Sequence, residues 1–189
     1  MRIKNLIWQT VVPGAAFVTM ALPARAQPAQ HPASISPEPG TTLARASQAE
    51  RLHLLGLLEL YSVALYSNVA VRDVERLASP DVPKALRIEI QYEEDFRRQL
   101  TIDWQRELIP PLNHTAIEHL RQTFAPLKRG DVVLIEYTPS KGTTVRVNRA
   151  TVASGVTHDL MLAFLDHWLG QRPVSEELKR TLTSRGASD

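Results

Sequence analysis

Several routes to chemistry are closed in this sequence, and the side chains that remain are scattered. With no cysteine, disulfides, thiol nucleophiles, thiolate zinc sites and cysteine-held iron–sulfur clusters are all excluded. The six histidines fall into no ligand pattern. His31 lies in a Pro-rich stretch and His53 stands alone. His114 and His119 are five apart, with Glu118 at the position one helical turn after His114. His158 begins a C-terminal helix and His167 lies on its flank. No H-E-x-x-H spacing occurs, so the histidines read as surface or helix-end residues, and neither a metal nor a cofactor is expected. There is no G-x-S-x-G elbow for a serine nucleophile, and "SKGTT" (140–144) is better explained as a hairpin turn than as a phosphate loop.

Arginines and tyrosines are what is left. Arg97 and Arg98 accompany a Phe96–Trp104 apolar stripe, and Arg51 precedes the apolar stretch "LLGLLELYSVALYSN" (54–68). An arginine facing an apolar cavity recognises a carboxylate or phenolate through paired donors. One on a helix flank lays its stem along the surface and keeps its head in water. The stretch 54–68 carries Tyr61 and Tyr66, and its periodicity is ambiguous. As a helix it would line up Leu54, Leu58, Tyr61 and Leu65. As a strand it would send Tyr61 to one face with Glu59 and Val63, and Tyr66 to the other with Leu60, Ser62 and Ala64.

The elements around these residues are clearer. Residues 67–84 read as a short helical turn closed by Pro80 and Pro83. "ALRIEIQY" (85–92) alternates as a half-buried strand. In "EEDFRRQLTIDWQREL" (93–108), Phe96, Leu100, Trp104 and Leu108 recur every four residues on one helical face, and "IPP" stops the helix. Thr115 and Glu118 form a capping box for a second helix with Ile117, Leu120 and Phe124 on its buried side. "VVLIEYT" (132–138), "PSKG" (139–142) and "TTVRVN" (143–148) spell a β-hairpin, and "RATVAS" adds a short strand. "THDLMLAFLDHWLG" stacks Leu160/Met161, Phe164/Leu165 and Trp168/Leu169 and ends at Gly170; "SEELKRTLTSR" makes a final helix. The fold class is therefore α+β: an antiparallel sheet covered on one face by helices.

The first residues set the expected location. "MRIKN" is a short basic start, an apolar run follows, and Ala24 and Ala26 in "ARA" have the spacing of a signal-peptidase site. Residues 1–26 are thus expected to be a signal peptide, cut after Ala26, which makes the protein periplasmic with no membrane span remaining. Arg2, Lys4 and Arg25 would leave with it, so the remaining chain carries 19 basic and 20 acidic side chains from the 22 and 20 of the whole. That charge gives no reason to expect a nucleic-acid partner. About 160 residues remain, enough for one domain with a sizeable core. Residues 27–50, rich in Pro, Ser, Ala and Gln, are expected to be a flexible leader, with the folded domain spanning 51–189.

"ELYSVALYS" (59–67), "DVPKALRIEI" (81–90), "KRGDVVLIEYTPSKGTTVRVN" (128–148) and "FLDHWLGQRPVSEELKRTL" (164–182), taken together and in that order, resemble the bacterial chalcone isomerase-like proteins. The resemblance runs from about Arg51 to Arg185. It implies an open-faced β-sandwich with a ligand cleft between a large antiparallel sheet and a helical layer, and it favours a strand for 54–68. Plant chalcone isomerases in the superfamily close a flavonoid ring by intramolecular Michael addition; other members bind fatty acids without catalysis. In the isomerases an arginine and several hydroxyls cradle the developing negative charge. Here Tyr61 stands at the isomerases' threonine position, Met161 falls where a hydroxyl residue is found, and Arg51 is the nearest upstream arginine. The helix 93–108 offers Arg97 and Trp104 in place of the isomerases' tyrosine and asparagine. No catalytic residue is assigned.

With the signal peptide implying export, the resemblance favours a non-catalytic binder of a small apolar anionic ligand such as a fatty acid. Arg51 or Arg97 would meet the head, Tyr61 would donate a hydrogen bond and Trp104 would line the cleft. The alternatives are an isomerase or intramolecular lyase acting on a phenolic or enone substrate, with Arg51 and Tyr61 stabilising the anion, and a domain that acts through its surface.

Overall fold

Period-two alternation builds the sheet. In the strand "KALRIEI", Leu86, Ile88 and Ile90 are buried on one face, while Ala85, Arg87 and Glu89 turn to the other. The structure is a computed structural model and describes residues 30–53, 58–91 and 127–184. Among these, the strands are β1 (Ser34–Glu38), β2 (Thr41–His53), β3 (Leu58–Ser67), β4 (Lys84–Ile90), β5 (Val132–Thr138), β6 (Gly142–Val147) and β7 (Ala150–Val156). The helices are α1 (Val74–Leu77), α2 (His158–Leu169) and α3 (Glu176–Ser184). The strands lie side by side in sequence order, every neighbouring pair antiparallel.

Register carries the apolar rows straight across the sheet. Leu65 pairs with Leu86, Leu86 with Ile135 and Ile135 with Val145; one step along, Val63 pairs with Ile88 and Ile88 with Val133. Helix α2 covers this face with Leu160, Met161, Phe164, Leu165 and Trp168, and α3 adds Leu178 and Leu182, in one continuous core. Burial of these side chains, each contributing about 1.5–3 kcal/mol, is the main force holding helices to sheet. Two details close the elements. Ser175 Oγ accepts from the Leu178 backbone N–H at 3.2 Å at the start of α3. Gly170 ends α2 with φ −66° and ψ −172°, not in the left-handed region; glycine is needed there because a Cβ would run into Asp166.

From Ser34 onward, the flexible leader expected over 27–50 is corrected by the structure. Ser34–Glu38 and Thr41–His53 are strands, and β2 pairs with β3 from Arg45↔Tyr66 to His53↔Leu58. The composition of this segment cannot build a core of its own, but a strand needs only a partner ladder and a few contacts. Leu43 and Ile35 supply those contacts, packing on Ala64, Tyr66 and Ala85 at the face opposite α2. Glu38 reaches Lys141 at 3.0 Å in the β5–β6 turn. The hairpin β1–β2 thus folds over the back of the sheet, while a register shift between Arg45 and Ser47 marks where β2 turns onto β3.

The remaining elements fall as the alternation and helical stripes predict, including the 132–148 hairpin and both C-terminal helices. The ambiguous stretch is a strand over Leu58–Ser67. The helices expected over 93–108 and from Thr115 lie outside the described residues. Among the described residues no helix is long and apolar enough to cross a membrane.

Candidate ligand-binding site

Tyr61 is the hydroxyl that β3 sends to the helix-covered face, where it is 2% exposed. Its phenol oxygen accepts a hydrogen bond of 2.8 Å from the indole Nε1 of Trp168, near the end of α2. The two rings meet edge to face, centroids 6.2 Å apart at 60°. Phe164 stacks on the same indole at 5.9 Å, and His167 meets it edge-on at 5.6 Å. An indole N–H inside a core must find an acceptor, so the bond holds Tyr61 and Trp168 in one fixed geometry. An aromatic wall with a phenol set into it suits an apolar body with a polar end.

Across the β2–β3 ladder, the residue opposite Tyr61 is Arg51, and a register shift follows it, between Arg51 and Leu52. Two of the sequence-derived site residues are therefore cross-strand partners on the backbone. Arg97 and Trp104 lie outside the described residues. Met161 is fully buried in the core. Trp168 was visible in sequence only as part of an apolar stripe. The clue to its role was that a buried indole requires an acceptor, and Tyr61 is a hydroxyl on the strand expected to face the helical layer.

At the other end of α2 lies a second polar group of residues that sequence reasoning did not assemble. Lys84 is fully buried. Its ammonium donates to the Ser79 carbonyl at 2.7 Å and to His158 Nε2 at 2.9 Å, and lies 4.8 Å from the centre of the Tyr137 ring. The Tyr137 hydroxyl donates to the Pro80 carbonyl at 2.8 Å. Burial lowers the Lys84 pKa to about 8, and burial together with the Lys84 charge lowers that of His158. These bonds tie the loop after α1 to the start of α2.

The back of the sheet is also polar. Arg87 pairs with Glu89 at 3.0 Å, and Arg146 pairs with Glu136. Tyr66 sits on this face as alternation predicts, its hydroxyl donating to the Pro32 carbonyl at 2.9 Å. The expectation of surface histidines is corrected at two positions: His31 is 6% and His167 is 3% exposed. His31 was hidden by the apparent disorder of its segment, and His167 by its place beside the exposed Asp166. Among the described residues, no group of three or more His, Asp or Glu is placed to hold a metal ion.

Comparison with known proteins fits this geometry. The family described as chalcone isomerase-like matches residues 55–183, from just before β3 to the last turn of α3. No curated protein sequence matches the chain. Among solved structures, the fatty-acid binding protein of Arabidopsis thaliana superposes with a TM-score of 0.56 at 18% identity, over 80% of this chain and 89% of that one. At that identity the likeness establishes the fold. With most of its length matched by the family and its curled antiparallel sheet shared with that structure, the chain belongs to the chalcone isomerase-like family.

Proposed function

We propose that this protein is exported to the periplasm and there binds, without turning it over, a small apolar ligand with an anionic head, such as a fatty acid. One observation carries the reading. The Tyr61 hydroxyl is held within the helix-covered face by Trp168, and the residue opposite it in the ladder is Arg51. A carboxylate taken out of water must be met by strong donors, and an arginine and a tyrosine at paired ladder positions are residue types that supply them. The Arabidopsis thaliana protein of similar fold is named for fatty-acid binding, which supports the same ligand class. Met161 offers no hydroxyl where the isomerases have one, which supports binding over ring closure. The basic start, apolar run and "ARA" of residues 1–26 support export.

Calorimetric titration of a long-chain fatty acid into the full chain, Tyr61→Phe and Arg51→Ala tests the reading. Each substitution removes a donor to the carboxylate, so each is expected to weaken binding by about 1–3 kcal/mol, roughly 5- to 150-fold. Affinity unchanged in both variants would refute this site.

A further inference from the structure

The segment ahead of β1 runs across the face of the sheet opposite α2 and is fastened there by side chains from three strands. His31 Nε2 lies 3.0 Å from Ser62 Oγ on β3, and its Nδ1 lies 2.9 Å from Arg87 Nη1 on β4. The His31 carbonyl accepts from Arg45 on β2, and the Pro32 carbonyl accepts from the Tyr66 hydroxyl on β3 at 2.9 Å. A guanidinium only donates. His31 Nδ1 is therefore an acceptor, and the imidazole is the neutral tautomer whose Nε2–H donates to Ser62.

Among the described residues, the charges that act on this ring are cationic. Arg87 touches it and Arg45 holds its carbonyl. Glu89 on β4 is bonded to Arg87 and Gln91, and Tyr66 is kept neutral, its pKa raised by burial. On the same face of β5 and β6, Glu136 and Arg146 bond to each other. A proton on Nδ1 would remove the acceptor that Arg87 uses and place a third cation beside two guanidiniums.

We propose that residues 31–33 form an acid-released latch: neutral His31 fastens the N-terminal segment and β1 across the back of the sheet, and protonation of His31 frees them while the rest of the fold stays intact. The sign follows from the ring's surroundings. Burial first, then Arg87 and Arg45, lower the His31 pKa from 6.5 to about 4. The freed segment binds the proton more readily than the fastened one, so the latch weakens as pH falls below about 6.5 and its stabilising contribution is spent near pH 4.

Amide hydrogen exchange of the full chain between pH 7.5 and 4, corrected for intrinsic rates, tests the latch in wild type, His31→Gln and His31→Ala. In wild type, the amides of 34–38 are expected to lose protection by about tenfold or more by pH 4.5, relative to those of β3–β5. His31→Gln accepts from Arg87 and donates to Ser62 without titrating, and is expected to keep its protection in acid. His31→Ala is expected to be open at pH 7.5; should it not fold, wild type against His31→Gln decides. Protection of 34–38 that tracks β3–β5 at every pH, or that falls identically in His31→Gln, would overturn the proposal.

Discussion

Tyr61 and Trp168 are 107 residues apart in sequence and share one hydrogen bond in the core. Tyr61→Phe removes the acceptor of a buried indole N–H and is expected to destabilise the fold by about 1–3 kcal/mol. Trp168→Phe leaves a cavity as well as a changed polar balance. Because both single changes break the same bond, the double variant is expected to cost less than the sum by about 0.5–2 kcal/mol in urea unfolding. Lys84 gives a pH-dependent counterpart. Its pKa, about 8 when folded against 10.5 for the free side chain, means that the unfolded chain holds more protons between those values. Wild-type stability should therefore gain on that of Lys84→Met as pH rises from about 8 to 10.5. Denaturation curves of the two proteins across that range check the sign; a constant difference would count against it.

At the scale of elements, the sheet and the C-terminal helices were legible because their apolar spacing is set by burial on one face. Leu86, Ile88 and Ile90 alternate, and the Leu160, Phe164 and Trp168 stripe recurs every four residues; each set is buried against the other. The alternation in 54–68 also separated Tyr61 from Tyr66 correctly, one to each face. Strand β1 and the start of β2 were not legible, because their stability comes from the neighbouring ladder and not from their own composition. Leu43 in that segment is fully buried, so Leu43→Ala is expected to cost about 2–4 kcal/mol in chemical denaturation, far more than a change in a solvated leader would. The Tyr61–Trp168 bond and the opposition of Arg51 to Tyr61 escaped for a related reason. Residue types suggest who could meet; register and the docking of a helix decide who does.

For the whole molecule, the two faces of the sheet carry different work. One is closed by α2 and α3 over an apolar core that holds the Tyr61–Trp168 pair. The other is crossed by the N-terminal hairpin, with charged pairs and His31 beneath it. The two proposals divide in the same way: ligand recognition belongs to the helical face and pH sensitivity to the back. The most direct test of the binding account is native mass spectrometry of the purified full chain offered fatty acids of graded length, each alongside its methyl ester. One acid is expected bound per chain, with a preferred length, and the matching ester bound at least about tenfold more weakly for want of the charge. Acid and ester retained equally, or no acid of any length retained, would contradict it.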